Sequence, residues 1–366
     1  MARFATEVKL DWTVDPSGLV AHAAHVADAA SRLLDQQGIR EEPFTLVDPD
    51  GLKNLRSLSS AQERLLLTDS ISPIPLHKAL VLLDCLSAAP DDRFLRYEQL
   101  ALARSLVRYS SNLHFGPEVG VGPPRPDAPV IGPWLAGIRA MARDVAEVAP
   151  QMVIPATVHQ ADARQLMTVL KPQSINAVIT SPPYPNEKDY TRTTRLEMVL
   201  LGFIEDKADL QRLKRGLLRS NTRNVYTGDD DDTWVEAHPE VARIAREIEA
   251  RRIELGKTSG FERMYARVTK LYFGGMARHL TSLREVLKPG ARLAYVVGDQ
   301  ASYLRIMIRT GHILATIGES LGYSVVGIDL FRTRIATATR EQLREEVVLF
   351  VWPGWEETSL RFSCLN

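Results

Sequence analysis

Thr180-Ser181-Pro182-Pro183-Tyr184 puts a hydroxyl, two consecutive prolines and an aromatic ring at the end of the apolar run INAVIT, residues 175–180. Proline fixes φ and carries no N–H, so such a turn is rigid and offers backbone carbonyls. The Ser181 hydroxyl and the Pro182 carbonyl can together accept both N–H groups of an exocyclic amine. Held that way, the nitrogen lone pair rehybridises and points at an electrophilic carbon such as a methyl donor. Tyr184 adds a face on which a nucleobase taken out of its stack can lie. This mode needs no strong general base. The bland alternative is a proline-rich turn that merely closes a strand.

The elements that must position this turn follow from patterning. INAVIT is short and rich in β-branched residues, as suits a buried parallel strand. In open α/β sheets, ligands bind just beyond the carboxyl ends of such strands. From residue 150 onward the texture alternates. A short strand is expected at 157–160, a helix at 164–170, a strand at 292–297 after the turn Leu287-Lys288-Pro289-Gly290, and a helix at 305–321 stopped by Gly322. Strands at 324–331 and 346–352 close the unit, with 332–344 left open between a loop and a hairpin arm. This alternation predicts an α/β sheet with helices on its faces. Residues 1–110 read as helical, with segments at 18–34, 60–67, 75–86 and 96–109. Residues 111–149 read as a glycine- and proline-rich linker followed by a helix. A charged helical stretch, 200–280, interrupts the core expected over 150–355.

Bulk properties bound the rest. The chain has 366 residues, 45% hydrophobic, enough for one large domain with an appendage or two modest ones. Forty-five basic and 45 acidic side chains cancel, so only local patches could hold nucleic acid. Two cysteines far apart, Cys85 and Cys364, argue against a disulfide framework or a zinc site and fit a reducing cytoplasm. No apolar h-region opens the chain and no apolar run is long enough to span a bilayer.

The run TSPPYPNEKDYTRTTRLE, residues 180–197, closely resembles the catalytic motif of DNA amino-methyltransferases, the N4-cytosine and N6-adenine enzymes. The extension through Asp189, Tyr190, Thr191, Arg192, Arg195, Leu196 and Glu197 resembles one subgroup, and the serine form leans toward N4-cytosine. The segments SNLHFGPEVG (111–120), LKPGARLAYVVGDQ (287–300), LGYSVVGIDLFRTR and LREEVVLFVW also resemble that family, so the likeness runs over roughly 105–352. It implies a Rossmann-like core that uses S-adenosylmethionine. Ser181, Pro182, Pro183 and Tyr184 are the implied catalytic residues. Asp162 and Ala163, with Thr180 and Ser181, are the implied cofactor contacts. In the family, a carboxylate at the position of Asp162 accepts from the cofactor's adenine amine; an aspartate at a helix N-cap is the bland alternative.

One expected part is missing. Such enzymes hold the cofactor's methionine on a glycine-rich turn, where lack of a side chain lets backbone approach the ligand. Phe115-Gly116 with Gly120 and Gly122, Phe273-Gly274-Gly275, and Leu46–Gly51 each fit ordinary turn or helix roles better. Three readings stay open: a split enzyme whose second methyltransferase subunit supplies the cofactor turn, an intact but divergent enzyme, or a non-catalytic DNA-binding subunit of a restriction or phage-defence complex.

For DNA, Arg192 and Arg195 directly follow the catalytic turn. Arg212, Lys214, Arg215 and Arg219 form a cluster with few acids, suited either to phosphates or to a solvated helix face. Arg332, Arg334 and Arg340 are a third basic set. The run Asp229–Asp232 is expected on a solvated loop facing away, with no metal. The stretch 200–280 is the expected contributor to target recognition.

Overall fold

The computed structural model describes residues 1–42, 54–116, 118–148, 154–186, 188–335 and 340–355. Its contacts divide the chain into two compact units, Met1–Gln160 with Tyr190–Arg212, and Ala161–Asp189 with Leu213–Asn366.

The first unit is built on helices: α1 (Ala2–Leu10), α2 (Pro16–Gln36), the single turn α3 (Ser60–Glu63), α4 (Pro73–Ala88), α5 (Leu95–Ser105) and α6 (Ile131–Val148). Asp15 caps α2 by accepting from the backbone N–H groups of Ser17 and Gly18, and Pro16 supplies a preset φ in the first turn. The alanine-rich stripe read from the sequence is the face that α2 buries: Leu19, Ala23, Val26, Ala27, Ala30 and Leu34. The expected linker holds a small hairpin, β1 (Leu113–Phe115) against β2 (Val119–Val121). The unit also contains the short helices α7 (Tyr190–Thr193) and α8 (Arg195–Leu200), and the division between the units falls within α9 (Lys207–Arg215).

The second unit carries a four-stranded mixed sheet. Its strands are β3 (Ile175–Thr180), β4 (Leu287–Gly298), β5 (Ser324–Ile335) and β6 (Gln342–Trp352), in the order β3-β4-β6-β5. β3 and β4 are parallel, while β4–β6 and β6–β5 are antiparallel. The helices of this unit are α10 (Pro239–Glu254), α11 (Tyr265–Val286) and α12 (Thr310–Ser320). One face of the sheet, Leu293, Tyr295, Val297, Val348, Phe350 and Trp352, joins buried side chains of these helices in one apolar core. Gly322 takes φ +92° just after α12, the left-handed conformation that ends a helix.

Two expectations fail here. Residues 157–160 form no strand; Thr157 to Gln160 have no regular structure and are mostly exposed. No ladder among the described residues includes them, so their backbone groups have no strand partner. The helix expected at 164–170 shrinks to one 3-10 turn, Leu166–Thr168. The arm left open at 332–344 is strand on both sides, because β5 and β6 pair out to Ile335↔Gln342.

Candidate active site

β3 ends at Thr180, and the chain leaves it through Ser181 with no regular structure as far as Tyr184. Thr180 lies beside Tyr295 in the parallel ladder, so the turn emerges at the carboxyl end of both parallel strands. Ser181 is exposed, whereas Pro182, Pro183 and Tyr184 are half-buried. A positive φ of 60° at Asn186 turns the chain again, and its N–H donates to the Ser220 carbonyl at 2.7 Å.

Tyr184 sits where a glycine leaves room. A Cβ built on Gly298, the last residue of β4, would lie 2.7 Å from Tyr184 Cε2 and 2.9 Å from Cδ2. Glu345, the β6 partner of Gly298, borders the same position and pairs with Arg332 of β5. The hydrogen bond to Glu345 raises the pKa of the Arg332 guanidinium further above its ordinary value. Gly298 and Glu345 were not singled out from sequence; the only signal was the position of Gly298 at the end of a predicted strand. Asp299 follows Gly298, is 1% exposed, and binds Arg309 at 2.6 Å.

The turn at Asp162 and Ala163 is tied to the same strand end. The Ala163 carbonyl is 2.7 Å from His279 Nδ1, and His279 Nε2 is 2.7 Å from the Tyr295 hydroxyl. Burial lowers the His279 pKa and raises that of Tyr295 well above its usual value, so the pair is neutral near pH 7. A neutral imidazole with a carbonyl at Nδ1 and a phenol at Nε2 donates to the carbonyl and accepts from the phenol.

The Asp162 carboxylate, however, is already engaged. It accepts from Arg164 Nε at 2.9 and 3.2 Å, from Nη2 at 2.6 Å and from the Arg164 N–H at 2.9 Å. Burial works against its charge, but the Arg164 bonds prevail and hold its pKa low. Arg164 also reaches Asp231, which takes a further bond from Arg278 at 3.2 Å.

The acidic run is therefore not a solvated loop. Asp231 is 2% exposed, and Gly274 and Gly275 open α11 to it: a Cβ on Gly274 would collide with the Asp231 carbonyl. Phe273-Gly274-Gly275 is thus a helix–loop contact inside α11. Gly116 and Gly120 belong to the β1–β2 hairpin region, and Leu46–Gly51 lies outside the described residues. Among the described residues no strand, glycine-rich turn and helix follow one another to admit the methionine end of S-adenosylmethionine. The described residues therefore do not fit that end of the cofactor.

The basic residues divide sharply. Arg195 donates to the carbonyls of Thr191 at 2.7 Å and Leu65 at 3.1 Å, so it braces the first unit. Arg192 is half-buried, with its Nε shielded from solvent. Lys214 binds Asp189 at 2.7 Å. Arg219 is 3% exposed and holds Asp229 with two bonds of 2.8 Å. Burial opposes the charge of Asp229, but Arg219 keeps its pKa low. Arg212 pairs with Asp209 at 2.9 Å but keeps its side chain 78% exposed, and Arg215 extends over Tyr226 with its guanidinium 5.9 Å from the ring centre. Arg332 and Arg334 both face Glu345. Glu197 of the motif's extension is buried, which pushes its carboxyl up to about 7. No group of side chains suited to a metal ion occurs among the described residues, and none of their helices is long and apolar enough to cross a membrane.

No family model matches the chain. It is 32% identical over 191 residues to the Type II methyltransferase M.AvaI of Nostoc sp. and of Anabaena variabilis, a match covering 48% of this chain and 38% of each relative. It is 24% identical over 214 residues to the Type II methyltransferase M.BsoBI of Geobacillus stearothermophilus, covering 54% of this chain and 42% of the relative. Two solved structures of a Thermus thermophilus protein, described as a DNA modification methylase, align over about half of each chain at 14% and 15% identity, with TM-scores of 0.25 and 0.28, too low to carry an argument. The chain thus spans about two fifths of the length of the curated relatives it matches, which are named Type II methyltransferases.

Proposed function

We propose that this chain carries the target-amine half of a DNA amino-methyltransferase, transferring a methyl group from S-adenosylmethionine to an exocyclic base amine, with N4 of cytosine favoured over N6 of adenine. The observation that carries this reading is the seating of Tyr184 against Gly298, with Ser181 and Pro182 just beyond the carboxyl end of β3. The sequence likeness to the named methyltransferases supports it.

In this reading the target nucleotide leaves the duplex and its base stacks on Tyr184. Ser181 Oγ and the Pro182 carbonyl accept from the amine and fix its lone pair. Fixing the nucleophile before reaction replaces entropy that a free encounter would lose, and that is the main catalytic contribution of these residues. The cofactor supplies the methyl carbon. Its methionine end needs a glycine turn from outside the described residues, in this protein or in a second methyltransferase subunit, and Asp162 serves its adenine end only with whatever acceptor capacity Arg164 leaves. Arg212 and Arg215 are the cluster members with exposed positive charge for phosphates, and 200–280 contributes to target choice. Expression in a host without DNA methylation, alone and with the neighbouring genes, followed by mass spectrometry of digested DNA for N4-methylcytosine and N6-methyladenine, tests the proposal. A Ser181→Ala variant that still methylates at the full rate would sink it.

A further inference from the structure

We infer that the turn Tyr303–Ile306 is a phosphate grip, which holds the Arg305 guanidinium out beside the catalytic turn to bind a backbone phosphate of the DNA strand whose nucleotide is flipped. This rests on the transferase reading and names a DNA contact of the same site.

The chain leaves β4 at Gly298, the residue under Tyr184, and loops through 299–309. The helix expected from residue 305 starts instead at Thr310, so Arg305 falls on this loop. Both legs of the loop are fixed. Gln300 and Ile308 exchange backbone bonds of 3.1 and 2.7 Å. Asp299 pairs with Arg309 at 2.6 Å. Tyr303 is 1% exposed and stacks on Tyr265 with ring centres 4.7 Å apart. Its hydroxyl lies 3.5 Å from the Ser220 carbonyl, the same carbonyl that accepts from the Asn186 N–H. The loop is thereby set against the chain that follows Tyr184.

The tip is built against the preferences of its residues. The Ile306 N–H donates to the Tyr303 carbonyl at 3.0 Å and closes a four-residue turn. Both central residues take positive φ, Leu304 at 55° and Arg305 at 67°. That pattern belongs to a type I′ turn, in which asparagine and glycine are the usual occupants. Leucine and arginine are strained there, and such strain persists only where the surrounding structure enforces it, as it does at ligand clamps. Leu304 is half-buried, whereas Arg305 is exposed and has no carboxylate partner among the described residues. The nearby cations differ: Arg309 is tied to Asp299 and Arg332 to Glu345.

A free guanidinium matches phosphate in charge and geometry. A nucleotide that swings out of its duplex toward Tyr184 brings its flanking phosphates to the rim of the site. Phosphate contacts fix register and orientation without reading sequence. Arg305 therefore holds the strand while Ser181, Pro182 and Tyr184 take the base.

Arg305→Gly and Arg305→Asn remove the charge and leave residues that accept positive φ. The full chain, alone and expressed with its neighbouring genes, is titrated with mixed-sequence duplex DNA at several salt concentrations, melted without DNA, and assayed for methyl transfer to unmethylated DNA. Both variants should melt at or above the parent temperature, bind DNA about tenfold more weakly and lose about one from the salt slope. The loss in transfer should appear as a higher KM for DNA and not as a lower kcat, since a phosphate contact is made in ground and transition states alike. Arg305→Lys, which keeps the charge, should retain the salt slope. The inference is overturned if both uncharged variants keep the parent affinity and salt slope, or methylate with the parent KM, which leaves the transferase reading standing. It is also overturned if both lose stability, which would make Arg305 a brace of the loop. A parent protein that binds no DNA in any combination overturns both readings. Weakened binding as described, with no methyl transfer in any combination, counts against the transferase reading alone.

Discussion

Replacing Gly298 with alanine perturbs the proposed base-stacking ring without touching its chemistry. The new Cβ would lie 2.7 Å from Tyr184 Cε2, against roughly 3.5–4.0 Å for carbon atoms at their optimum separation. The Tyr184 ring, or the strand end beneath it, must therefore move by about 1 Å. Misplacement on that scale costs on the order of a hundredfold in rate when alignment carries the catalysis. Tyr184 is half-buried and sits at the end of a side chain, so the ring can yield, and the stability loss should stay near ~1 kcal/mol, the low end for overpacking. The assay is single-turnover methyl transfer to DNA at saturating donor, with thermal melting in parallel. A fall of about a hundredfold with a melting temperature within a few degrees of the parent is predicted. Full activity from a well-folded Gly298→Ala protein would refute the claim that Tyr184 acts through its position over Gly298.

Other expectations separate structural from functional charges. Arg219→Ala strands the Asp229 carboxylate, so it should cost about 3 kcal/mol of stability by denaturant titration; a stable variant with weakened DNA binding would instead give Arg219 to phosphate. Arg212→Ala should leave stability unchanged and lower the salt slope of DNA binding by about one. Glu197, raised to about 7 by burial, binds its proton more tightly folded than unfolded, so stability should fall as pH rises from about 4.5 to about 7. Glu197→Gln should flatten that fall and gain up to ~3 kcal/mol above pH 7 with little change below pH 4.5, by melting across pH; an unaltered pH profile would show that Glu197 titrates normally.

The sequence revealed most where the governing interaction was local. The stripe of α2 and the Gly322 stop depend on neighbours within a few residues and stand where expected; INAVIT forms its parallel strand, but at the sheet edge with no residue buried, against the buried strand its apolar run predicts. The end of β3 at Thr180 was legible because two consecutive prolines, without N–H groups, stop a strand. Long-range partners were not. The acidic run looked solvated because Arg164 and Arg278, which neutralise Asp231, lie 67 and 47 residues away. Arg219 looked like a phosphate ligand because a basic side chain does not disclose that the chain folds back to set Asp229, ten residues on, beside it. Gly298 was invisible as a site residue because its role is to lack a side chain under a ring more than a hundred positions earlier in the chain. The strand expected at 157–160 has no ladder to join among the described residues.

The most direct measurement of the central claim is mass spectrometry of DNA from a methylation-free host that expresses this chain with its neighbouring genes, set against the same set carrying Tyr184→Ala. The account predicts N4-methylcytosine, or failing that N6-methyladenine, with the parent chain and its loss with the variant. Neither modified base under any combination, or equal amounts with both chains, would contradict it.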